Sequence, residues 1–96
     1  MILKNVKRKV VFNDLKKYFI VVDGFKYGAD FILYKNSIED EHGFALVFIK
    51  EDNVILNNKE KIIIVRICES VRKEGIIAYI NENTMTIKYE EIYRKK

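Results

Sequence analysis

The chain has no proline and no tryptophan, and in 96 residues only four glycines, one cysteine and one histidine. Each scarcity excludes something. A lone cysteine cannot form an internal disulfide, so the core alone must hold the fold, as expected of an intracellular protein. One cysteine and one histidine cannot make a closed zinc site. No apolar run approaches the roughly 20 residues needed to cross a bilayer. The first eleven residues are interrupted by Lys4, Lys7, Arg8 and Lys9, so no secretory leader is expected and the protein reads as soluble. With so few breakers in the chain, each glycine marks a position of structural interest.

What is present is ordinary globular material: 49% hydrophobic and 33% charged residues. This length supports one core, so a single domain over 1–96 is expected, without a separate N-terminal domain. A formal charge of +4 suits a polyanionic partner without requiring one. Basic residues gather at 4–9, at Arg72 and Lys73, and at 94–96, whereas acids concentrate in Glu39, Asp40 and Glu41. Among eighteen basic residues only Arg8, Arg66, Arg72 and Arg94 are arginine. In a lysine-biased chain each is a candidate for a role needing a flat, forked, stackable head.

Periodicity predicts a short helix over 11–18, from apolar residues at 11, 12, 15 and 18. A strand over 19–22 stops at the turn pair Asp23-Gly24, the chain changes direction at 26–28, and a second strand covers 29–34. Residues 35–41 are polar and read as a loop. The nearly all-apolar stretch 44–49 reads as a central strand covered on both faces. After a polar turn at 50–53, residues 54–56 are a brief strand or a lead-in. Asn57 or Asn58 can cap a helix over about 59–73 that ends at Gly75. In that helix Ile64, Ile67, Cys68 and Val71 form the apolar face, and Arg66 and Lys73, two turns apart, are expected to point the same way. Strands over 76–80 and 84–93 are joined by Asn81-Glu82-Asn83. The order predicts a compact α/β domain, a mixed sheet flanked by two helices.

Three side chains suggest chemistry. His42 can give or take a proton near neutral pH, although a single histidine is more often just a polar strand-edge residue. Tyr34 falls at a strand end; phenols have a reference pKa near 10, so as a base a tyrosine needs help from a neighbouring cation. Its bland alternative is packing at the rim of the core. Lys73 near a helix end suits the helix dipole; alternatively its charge faces phosphoryl oxygens as negative charge builds. Together the three suit RNA cleavage by the neighbouring 2′-hydroxyl, without a metal. A metal nuclease would want an acid two residues before Lys50, where Phe48 stands, and leaves Asp30 poorly partnered. The glycines at 24 and 28 make no phosphate-cradling loop at a helix start.

Gly24-Phe-Lys-Tyr-Gly-Ala-Asp-Phe-Ile-Leu-Tyr34, then His42 opening an apolar strand, then Arg66-x-x-x-Ser70-Val71-Arg72-Lys73, resemble the catalytic domain of tRNA-splicing endonucleases. The likeness runs from about residue 11 to 94. It implies a mixed α/β nuclease-like fold and a metal-independent, cofactor-free cut that leaves a 2′,3′-cyclic phosphate and a 5′-hydroxyl. By the same resemblance Tyr34 is the general base, His42 the general acid and Lys73 the stabiliser of the charged transition state. Arg66 and Arg94 correspond to arginines that clamp an extruded bulge base of precursor tRNA, and Arg72 joins them as a substrate-binding candidate. The family works as dimers or tetramers, so a chain this short resembles one subunit of a heteromer with a second, structural subunit. A non-catalytic subunit of the same assembly is the alternative, and an unrelated small basic RNA-binding module is a third reading.

Overall fold

A computed structural model describes residues 4–39 and 42–93. Arg94, Asp40 and Glu41, which the sequence singles out, lie outside the described residues. The elements are helix α1 (Lys4–Leu15), strand β1 (Ile20–Asp23), a 3-10 turn (Phe25–Tyr27), β2 (Phe31–Tyr34), β3 (Ala45–Glu51), helix α2 (Asn58–Ser70), β4 (Glu74–Ile80) and β5 (Ile87–Ile92). The five strands lie in the order β1-β2-β3-β4-β5. All neighbours are antiparallel except β3 and β4, whose parallel pairing from Ala45↔Glu74 to Glu51↔Ile80 requires the crossover that α2 provides. This is the expected α/β architecture, with β3 at its centre.

The alternation of side chains along the strands splits the core between the two faces. On one face Val11 and Leu15 of α1 pack with Phe31, Leu33, Ala45, Val47, Ala78 and Ile80. On the other, Ile64 and Cys68 of α2 pack with Ile32, Leu46, Phe48 and Ile77. Ala45, Leu46, Val47 and Phe48 are therefore all buried, which is why this stretch carries no polar residue.

Helix α1 begins seven residues earlier than the apolar spacing suggests. Lysine and arginine are good helix formers, and nothing in 4–10 breaks a helix. The buried stripe is Lys7, Val11 and Leu15, spaced by four, with a lysine occupying one core position. Its ammonium pairs with Glu51 and, at 3.1 Å, with Glu82. The hydrogen bond to Glu51 raises its pKa above the ordinary lysine value despite desolvation. The next residue, Arg8, stacks over Phe31 and Phe25, at 4.6 and 5.0 Å. Its guanidinium also donates to Asp30 Oδ1 at 3.1 Å. Asp30, which the sequence leaves poorly partnered, also accepts the Ile49 amide through Oδ2 at 2.7 Å. It is a tie between α1, β2 and β3.

Asn57 caps α2, its side chain accepting the Glu60 amide at 2.8 Å. The helix ends at Ser70, not near Lys73, and Gly75 is a buried residue of β4 rather than the stop. The stop is Arg72, at φ 56. Its amide bonds to Glu69 O and that of Lys73 to Cys68 O, the pair of bonds of a Schellman cap. A non-glycine residue in this left-handed conformation is strained. Arg72→Gly is expected to stabilise the fold by about 1 kcal/mol in urea unfolding. The same helix buries the Cys68 thiol, and desolvation pushes it up to about 11. At pH 8 roughly one thiol in a thousand is then ionised, so alkylation followed by mass spectrometry should label Cys68 only after urea is added.

The last two strands also differ from expectation. Residues 84–86 belong to the turn, where Asn81 Oδ1 accepts the amides of Asn83 and Thr84 at 2.9 and 3.0 Å and Met85 takes φ 57. Residues 54–56 form no strand. On β5, Tyr89 donates to Asp14 of α1 at 2.5 Å; burial, followed by that carboxylate, raises its pKa.

Candidate active site

Sequence reasoning places the three chemical residues on separate segments, and the fold brings those segments to one glycine. Tyr34 ends β2 and is half-buried against the α2-side core. Its ring edge stands 3.5 Å from where a Cβ on Gly43 would be. His42 is the residue before that glycine, and it is exposed. Lys73 reaches the same residue, its ammonium donating to the Gly43 carbonyl at 2.6 Å.

Each placement has a local cause. Tyr34 is the last residue of β2 to pair, opposite Ile20, so its ring stands at the end of the strand. His42 and Gly43 lead into β3, anchored by the Phe44 amide on Leu33 O at 2.9 Å. Lys73 follows the Schellman cap, and the Glu74 amide bonds to Phe44 O at 2.9 Å, which docks the start of β4 beside the start of β3. The parallel β3-β4 register thus fixes Lys73 beside Gly43. Lys73 lies beyond the helix, so Arg66 and Lys73 do not share a helical face. The ammonium's hydrogen bond goes to Gly43 O rather than to a carbonyl of α2.

Gly43, where these contacts meet, is a position that composition and spacing do not single out. An added Cβ would stand 2.3 Å from Ile32 Cγ2 and 3.3 Å from Leu33 O, so only glycine fits without movement. The available signal is the rarity of glycine beside the only histidine. Gly43→Ala is expected to push apart Ile32 and the 42–44 backbone. It should cost about 1–3 kcal/mol of stability in urea unfolding.

Arg66 is exposed on α2, and Arg72 is exposed at the cap. Beside Lys73 a cavity of about 520 Å³ runs along the end of α2, with Phe44, Cys68, Arg72, Lys73 and Tyr93 in its lining. Its size suits a nucleotide, and it opens next to the Lys73–Gly43 contact. Among the described residues no helix is long and apolar enough to cross a membrane.

A mixed sheet with one helix on each face, with Tyr34 at the end of β2, His42 and Gly43 before β3 and Lys73 before β4, defines an α/β domain whose candidate residues lie at one end of the sheet. The model of the family described as tRNA intron endonuclease, catalytic C-terminal domain, matches residues 5–89. The chain belongs to that family. A tRNA-splicing endonuclease of Methanococcus vannielii is 34% identical over 90 residues, covering 92% of this chain and 51% of the relative. Those of Sulfurisphaera tokodaii and Picrophilus torridus are 35% and 36% identical, covering 82% and 86% of this chain and 44% and 28% of the relatives. The chain spans about half the length, or less, of these curated relatives.

Proposed function

We propose that this chain, as a single catalytic domain, is the cutting subunit of a tRNA-splicing endonuclease that acts on precursor tRNA at exon–intron junctions. The observation that carries the reading is the Lys73 ammonium seated on the Gly43 carbonyl, with the Tyr34 ring beside that glycine and His42 next to it in the chain. The reaction is attack of a 2′-hydroxyl on the adjacent phosphorus, without a metal or other cofactor. Tyr34 accepts the proton of the 2′-hydroxyl as the oxygen–phosphorus bond forms. His42 gives a proton to the 5′-oxygen as its bond to phosphorus breaks. The products are a 2′,3′-cyclic phosphate and a 5′-hydroxyl, and each catalytic group ends in the protonation state its partner began with. Lys73 faces the non-bridging oxygens, where charge grows in the transition state and a fixed cation counts most.

Arg66 and Arg94 stack on an extruded bulge base, and Arg72 contributes charge beside Lys73; each cation–π contact is worth about 0.5–2 kcal/mol. A second, structural subunit completes the assembly. Supporting this, Val54 and Ile55 before α2 and Ile62 and Ile63 in its first turns are exposed, Ile55 at 92%. Scattered apolar residues are normal on a surface, whereas four within ten positions mark a contact.

The test is the end-group chemistry of bulged precursor tRNA cut by the purified assembly in excess chelator. Cyclic phosphate and 5′-hydroxyl ends, at an undiminished rate, are expected. Loss of cutting with EDTA, or 5′-phosphate ends, would replace the mechanism.

A further inference from the structure

The segment Gly24–Gly28 is the part of the sequence signature to which the reaction assigns no task. We propose that it exists to hold the Tyr27 ring under the Lys73 ammonium, making Tyr27 a positioning residue for the transition-state cation; this rests on the nuclease reading of Lys73.

The loop is built to be rigid. The Gly24 carbonyl accepts the amides of Tyr27 and Ala29 at 3.0 and 3.1 Å, and the Phe25 amide is held by Asp23 Oδ1 at 2.9 Å. Gly28 reverses the chain at φ 73, a conformation that L side chains rarely adopt. The loop closes where the Gly24 amide meets Asp30 O at 3.1 Å, and Asp30 is itself pinned by Arg8 and the Ile49 amide. Of the three residues in the turn, Tyr27 alone is turned inward, half-buried against the α2-side core, while Phe25 and Lys26 are exposed. Its ring centroid lies 5.9 Å from Lys73 Nζ and 5.0 Å from that of Lys26, which is exposed and belongs to the turn itself.

Chemistry favours a ring at this place. A lysine ammonium has three donors; one is spent on Gly43 O. The face of an aromatic ring attracts a cation through its quadrupole without donating to it or carrying a charge. A carboxylate there would neutralise the ammonium and compete with the phosphoryl group for it. Lys73 forms no ion pair with a described residue. The ring and the carbonyl hold the head group from two sides and leave its charge for the substrate.

Two measurements test this. In the full chain, the Lys73 side-chain methylenes should show upfield ring-current shifts in NMR that disappear in Tyr27→Leu; unshifted signals in the unaltered chain overturn the proposal without reference to activity. In the assembled enzyme, Tyr27→Leu, which keeps an apolar side chain in the core, should lower kcat for bulged RNA by roughly 3- to 30-fold at nearly constant KM. Tyr27→Phe, which keeps the ring and loses only the hydroxyl, should restore it. A Leu variant within twofold of the unaltered enzyme, or a Phe variant as impaired as Leu, sinks the proposal. So does a kcat loss no larger than the fraction of Leu protein found unfolded by circular dichroism. If Lys73→Ala leaves cleavage intact, the nuclease reading fails instead, a result that no Tyr27 variant can mimic.

Discussion

His42→Ala should lose about 10²- to 10⁴-fold in cleavage rate while the protein stays folded. The side chain is exposed, so its removal opens no cavity, and the thermal midpoint should hardly move. The size of the loss follows from the leaving group. A 5′-alkoxide is a poor one, and a positioned proton donor removes most of that barrier. A substrate in which sulfur replaces the 5′-oxygen leaves as a thiolate without needing the proton. That substrate should be cut by His42→Ala nearly as fast as by the unaltered enzyme. If the sulfur substrate stays as slow as the oxygen one, His42 is not the acid. Equal cutting of the oxygen substrate by both proteins would remove His42 from the reaction altogether.

The architecture could be read from the sequence wherever one signal governed the backbone. The apolar run through Leu46 and Val47 had to be a strand buried on two faces, because no single surface can cover so many adjacent apolar side chains. Asn57 announced the start of α2 through a hydrogen bond between residues three apart. Errors arose where tertiary structure outvoted local pattern. Lys7 belongs to the basic stretch 4–9, outside the apolar spacing, yet it is a core position of α1, since its two carboxylate partners come from β3 and the β4-β5 turn. Arg72 stops α2 in a conformation that the helix-ending rules assign to glycine, and this displaced the expected stop to Gly75. The candidate site was proposed from its residue types, because few side chains can give or take a proton near neutral pH. It was not legible in its geometry. Gly43 acts through a carbonyl and through the absence of a Cβ, neither of which leaves a mark in composition or spacing.

Lys73→Ala should reduce kcat by about 10²- to 10³-fold, the usual consequence of deleting one fixed group that faces charge developing in a transition state. Binding of RNA should weaken far less, because a single lysine is a small part of a phosphate-contacting surface and its main work comes after binding. Single-turnover cleavage at saturating RNA separates the two effects. Lys73→Arg is the sharper variant, since it keeps the charge. A guanidinium is broader and flat, and it cannot place one hydrogen on Gly43 O at 2.6 Å while fitting the space that an ammonium occupies beside the Tyr27 ring. Arginine should therefore restore RNA affinity without restoring kcat. Full recovery by arginine would mean that Lys73 supplies only diffuse positive charge, and the seat formed by Gly43 and Tyr27 would then have no catalytic meaning. Recovery of affinity alone ties the rate to the position of a single ammonium, and so to the parallel β3-β4 pairing that sets Lys73 next to Gly43.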